Sequence, residues 1–165
     1  MTDEEKLQLM LDNFEIGTRK PTRKGLEDHL LKGYITLTPQ GFDSTMWVRY
    51  VGKHSSLPLS IGHCFEFYAQ YTPLTTLQGC PRIVDNVFRL AGSPLQTLEF
   101  LPQSARYIDL SWQEDLGLLR LLTVENCNRV NLEGSPEDKV NATKEIINKY
   151  LRKGWAAMVP CAREL

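Results

Sequence analysis

Over the middle of the chain, apolar residues fall in short alternating triplets rather than in helical stripes. Val48/Tyr50, Phe65/Phe67, Phe88/Leu90, Ile108/Leu110 and Val130/Leu132 each flank one polar residue, at successive steps of 17, 23, 20 and 22. Alternation over so few residues predicts a short strand with one buried face. A second beat keeps step with the first: Leu74/Leu77, Leu95/Leu98 and Leu118/Leu121 repeat an L-x-x-L, with His54/Leu57 in the place before them. The stretches "PLTTLQGCP" (Pro73 to Pro81) and "PLQTLEFLP" (Pro94 to Pro102), 21 residues apart, are its two clearest copies. A unit this small cannot bury its apolar face alone, but stacked units turn each row of Leu or Phe into a continuous core ladder. The pattern therefore predicts an α+β fold, a leucine-rich-repeat-like β solenoid of about four turns.

A solenoid needs covered ends, and the flanks read as helices. Thr2 with Glu5 forms a capping-box pattern, and the helix after it places Leu7, Met10, Leu11 and Phe14 on one face. A second short helix, about Gly25 to Lys32, presents Leu26, Leu30 and Leu31. At the other end, "SPEDKVNATKEIINKYLRKG" carries Ser135 as N-cap, acids in the first turn, bases in the last and Gly154 as its stop. These signals divide a single domain into a helical N-terminal cap (1–33), a repeat solenoid (34–134) and a helical C-terminal cap (135–165).

Composition narrows the function classes. The chain has 165 residues, 42% hydrophobic and 24% charged, with net charge −1, so no global field steers it to nucleic acid or an acidic membrane surface. Its one basic run (Arg19, Lys20, Arg23, Lys24) has acids on both sides and no interleaved aromatic, and reads as a solvated linker. No signal-peptide pattern opens the chain, and no apolar run reaches the roughly 20 residues of a membrane span. The four cysteines have no close pairs and read as reduced thiols of a cytoplasmic protein.

The repeat words resemble a family of phage-encoded leucine-rich-repeat-like accessory proteins. "LTTLQGCP" matches their L-T-x-L-x-G and Cys-Pro corner, "LQTLEFLP" matches more loosely, and "SSLPLSIGHCFEF" looks like their first rung. "YITLTPQG" is similar to their entry segment; "LGLLRLL", "IINKYLRKG" and "CAREL" are similar to their C-terminal cap, with Pro160 interrupting its last helix. The resemblance runs from about Tyr34 to Leu165. It implies a capped solenoid with no catalytic motif to carry over, whose partner is a host or defence protein that it inhibits or redirects.

No phosphate-binding, dinucleotide-binding, zinc-protease or nucleophile-elbow motif occurs, and no residue set has metal-ligand spacing, so no cofactor is expected. His63 and Cys64 form the tempting base and nucleophile of a thiol hydrolase, but neighbours on a strand point to opposite faces. Glu27/Asp28/His29 and Gln113/Glu114/Asp115 read as solvated surface. The remaining candidates are surface residues for a protein partner: Tyr68, Tyr71, Tyr107, Trp112, His54 and Phe100. His54 takes a rung place that is Leu elsewhere, Trp112 is in step with Gly92 and Ala69, and Phe100 stands where the previous turn has Gly79. A non-catalytic protein-binding module is the leading expectation. A cysteine- or histidine-dependent hydrolase, and a scaffold or virion component that assembles as a homo-oligomer, are the alternatives.

Overall fold

A computed structural model describes residues 1–113 and 116–133. The proposed C-terminal helix, and the acids Glu114 and Asp115, lie outside those residues. Within them, β strands wind as a solenoid of about four turns, preceded by two helices.

Helix α1 (Asp3–Asn13) starts on the capping box legible in the sequence. The Thr2 hydroxyl accepts from the Glu5 amide at 3.2 Å, and the Glu5 carboxylate accepts from the Thr2 amide at 2.6 Å. Two of the helix's orphan donors are thereby satisfied. Leu7 and Met10 are buried. Phe14 is buried too, but from strand β1 (Phe14–Ile16), an element the sequence reading missed. β1 pairs antiparallel with β4 (Trp47–Tyr50) and so covers one edge of the main sheet. Helix α2 (Arg23–Leu31) is N-capped by the Thr22 hydroxyl and buries Leu26. Leu31, expected to face inward, is 86% exposed, because it falls on a different face of the helix from Leu26, while its neighbour Leu30 packs against the core. Arg23 from the basic run joins the helices by pairing with Glu4 at 2.5 Å and Glu27 at 2.7 Å.

A hairpin of β2 (Ile35–Thr38) and β3 (Gly41–Ser44), joined through Pro39 and Gln40, leads into the stack. The first side of the solenoid is the six-stranded sheet β1-β4-β7-β9-β10-β11, with β7 at Glu66–Tyr68, β9 at Val87–Arg89, β10 at Tyr107–Ser111 and β11 at Arg129–Glu133. From β4 onward every pairing in it is parallel, the signature of successive turns. The second side is narrower. β5 (Ser60–Ile61) pairs with β3, and β6 (His63–Cys64) pairs with β8 (Ile83–Val84). Single bridges at Ser104 and Glu125 continue the latter. The third side has no strands and is packed by the L-x-x-L leucines, with Leu74, Leu77, Leu95, Leu98 and Leu121 each at most 1% exposed. Backbone bonds from Thr75 to Ser55 and from Gln96 to Thr75, both 2.9 Å, tie these turns together.

The structure corrects the register of one turn. Val48 pairs with Phe67, Phe67 with Phe88, Phe88 with Ile108 and Ile108 with Val130. Phe65, aligned in the sequence reading with Val48 and Phe88, is instead 43% exposed. Phenylalanines at both 65 and 67 make the alternating pattern match equally well two residues early, and burial decides between them. The interior ladder runs Val48, Phe67, Phe88, Ile108, Val130; the Phe67 and Phe88 rings stack at 5.6 Å. A second correction concerns sulfur. Cys64 and Cys80 are free, as expected, and both are buried, but Cys127 is disulfide-bonded.

Candidate functional site

The candidate residues sort onto different surfaces of the solenoid. Tyr68 and Tyr107 lie on the outer face of the six-stranded sheet, where the side chains opposite the core ladder form columns across the strands. The central column is Glu15, Arg49, Tyr68, Arg89, Asp109 and Asn131. Its members form ion pairs along the column, although Glu15 Oε2 and Arg89 Nε make no hydrogen bond among the described residues. Arg49 pairs with Glu15 at 3.6 Å and lies 5.8 Å over the Tyr68 ring, whose hydroxyl donates to Glu66 at 2.6 Å. Arg89 pairs with Asp109 at 2.8 Å, and the Asn131 amide donates to the same carboxylate. Burial, followed by the bond to Glu66, pushes the Tyr68 hydroxyl up to about 12. This column fixes register, and its phenol is already engaged.

Where the parallel strands end, the chain turns, and the sheet register carries Tyr71 beside Gly92 and Gly92 beside Trp112. Trp112 is therefore in step with Gly92, as read from the sequence, and with Tyr71 rather than Ala69. Trp112 packs partly against the core. Tyr71 is 78% exposed, and its backbone is left-handed, with φ 55°. Gly92 has φ 82°, and a Cβ there would run into the Tyr71 ring. Glycine at 92 thus allows the turn and gives the tyrosine ring its seat.

The other corner repeats the relation in reverse. Gly79 turns the chain with φ 84°, and one turn later Phe100 does so with φ 65° and 60% exposure. For a non-glycine residue the left-handed conformation costs about 1–2 kcal/mol. Phe100 walls a cavity of about 470 Å³ that extends to Ser60, Arg82, Leu101 and Gln103. Arg82 is a cavity residue that the sequence reading missed. Following an ordinary Pro81, it carries no pattern signal, whereas the Gly79-to-Phe100 exchange is visible in the repeat.

His54 contributes backbone rather than imidazole. The Tyr50 hydroxyl accepts from its amide at 3.0 Å and donates to its carbonyl at 3.2 Å, and the side chain is exposed. The Tyr50 ring itself is buried against Phe14.

The hydrolase constellation comes apart. Cys64 is fully buried, and burial holds its thiol well above the usual range, so it ionises poorly. His63 looks outward and meets Asp85 at 3.0 Å, while its amide donates to Asp43 at 2.9 Å. The imidazole has an acid but no thiol partner on its own side. Among the described residues no group of three or more His, Cys, Asp or Glu converges as metal ligands, and no helix is long and apolar enough to cross a membrane. The structure thus gathers Tyr71 and Trp112 at one corner, Tyr68 and Tyr107 on the sheet face, and leaves Phe100 and His54 apart. Comparison with known protein families, with characterised proteins and with solved structures finds no match to the chain.

Proposed function

We propose that the chain is a non-catalytic binding protein whose rigid solenoid presents aromatic side chains to a protein partner. One observation carries the reading: Tyr71 and Phe100 are exposed aromatics on left-handed backbone, at turn places where the neighbouring turn has glycine. Local strain that brings no interior packing is characteristic of functional surfaces, and Tyr or Phe anchors on a stiff frame lose little entropy on binding. The buried, poorly ionising Cys64 supports the same reading, since it leaves the hydrolase alternative without its nucleophile. In its finer form the proposal follows the resemblance. The chain is a leucine-rich-repeat-like solenoid, capped at its C-terminus by the segment 135–165, and acts as a phage accessory protein in the host cytoplasm that inhibits or redirects a host or defence protein.

Retention experiments from bacterial lysate test it. The immobilised chain should hold a defined protein that Tyr71→Ala or Trp112→Ala releases and Glu27→Ala on α2 keeps. No retained protein, or equal retention by all variants, contradicts the proposal.

A further inference from the structure

The corner cavity differs in charge from the hollows beside Asp85 and Asp109, where arginine and carboxylate occur together. Glu15 to Asn131 on the sheet face pair off acid with base, and His63 faces Asp85 on the second side. The cavity lining contains one charged residue, Arg82, and no carboxylate. Among the described residues Arg82 forms no ion pair. An exposed arginine is common, but one set in a concavity with no acid is a guanidinium without its complement.

The remaining walls divide into two kinds. Phe100 and Leu101 give an apolar wall, and the Phe100 ring has no aromatic neighbour among the described residues. Ser60 and Gln103 add neutral hydrogen-bonding groups to the lining. Backbone bonds from Arg82 to Gly62 (3.1 Å) and from Gln103 to Arg82 (2.7 Å) show that these residues stack at the same corner of successive turns. The hollow therefore runs along the solenoid axis across three successive turns, about 10 Å, or two strand spacings of roughly 4.8 Å. Its volume of about 470 Å³ lies within the range of small-molecule sites.

We propose that this cavity is a binding site for a small organic anion: an aromatic or aliphatic body against Phe100 and Leu101, with one carboxylate, sulfonate or phosphate group on Arg82. The strained backbone at Phe100 then has a use, because it turns the ring out over the hollow where glycine, present one turn earlier, would leave it open. The site is separate from the Tyr71 and Trp112 corner and shares only Phe100 with the protein-partner reading, whereas Arg82 belongs to the cavity alone.

The full chain titrated with 8-anilinonaphthalene-1-sulfonate, a fused aromatic with a single sulfonate, tests the site by fluorescence and calorimetry. One dye molecule should bind per chain, and phenyl phosphate should displace it. Arg82→Gln and Phe100→Gly should each weaken binding about tenfold or more, as expected for loss of a charge-assisted bond or of the stacking wall. The neutral analogue N-phenyl-1-naphthylamine should bind more weakly and be indifferent to Arg82→Gln. Urea unfolding of each variant confirms that it is folded; Arg82→Gln changes only an exposed side chain and keeps the test decisive if Phe100→Gly does not fold. Absence of saturable binding, binding unchanged by Arg82→Gln, or equal affinity for the neutral analogue overturns the proposal. Displacement by the acidic peptide acetyl-Asp-Phe-Asp-amide but not by phenyl phosphate overturns it as well, and makes the cavity part of a protein interface.

Discussion

Single residues in this fold are sorted by which side of the strand they occupy, and the sulfur atoms show the consequence for chemistry. His63 and Cys64 are neighbours in sequence, yet one meets solvent and Asp85 while the other is sealed in the core. Burial raises the Cys64 and Cys80 thiols above their ordinary values. A thiol raised in the folded state stays protonated after the unfolded chain has ionised near pH ~8.5, so the folded state then holds the extra proton. Its contribution to stability is complete below that pH and is lost as pH rises towards the folded value, by about 1.4 kcal/mol per pH unit per thiol. The urea midpoint should accordingly fall between about pH 8.5 and about pH 10. Both thiols should also resist aqueous thiol reagents until the chain unfolds. A flat profile, or rapid labelling of Cys64 in the native protein, would mean that the thiol is accessible and would reopen the nucleophile question.

The elements show how far periodicity reaches. The L-x-x-L beat was legible because its leucines point inward and repeat at one spacing, 74 to 95 and 77 to 98. The strand beat was legible as strands but not in register at β7, where Phe65 and Phe67 both satisfy the alternation and only the ladder with Val48 and Phe88 separates them. Strand β1 escaped notice because three residues after a helix carry too little pattern to announce a strand. The corrected register has a measurable consequence. Phe67→Ala should cost about 3–5 kcal/mol, the range for removing a buried aromatic, and Phe65→Ala less than about 1 kcal/mol. Urea denaturation of the two variants in parallel gives the comparison, and the reverse order would restore the earlier alignment.

Across the whole molecule, interior and surface obey different rules. The interior is consistent from turn to turn: matching apolar ladders, a buried hydroxyl pair of Thr72 and Ser93 at 3.0 Å, and prolines at equivalent corners. Such agreement between local pattern and global fold is why the solenoid could be read from sequence. The candidate surface was legible only where it breaks the repeat, as Phe100 does against Gly79. Arg82 and the cavity were not legible, because a hollow is made by how backbone corners stack and leaves no residue pattern behind. The central claim is that Phe100 is held outward for contact and adds nothing to the frame. Urea unfolding of Phe100→Gly tests it most directly. If the ring only faces solvent and a ligand, relieving the left-handed strain should leave the chain as stable as before or stabilise it by up to about 1 kcal/mol. A loss of more than about 1 kcal/mol would show that Phe100 belongs to the packing of the solenoid and would contradict the account.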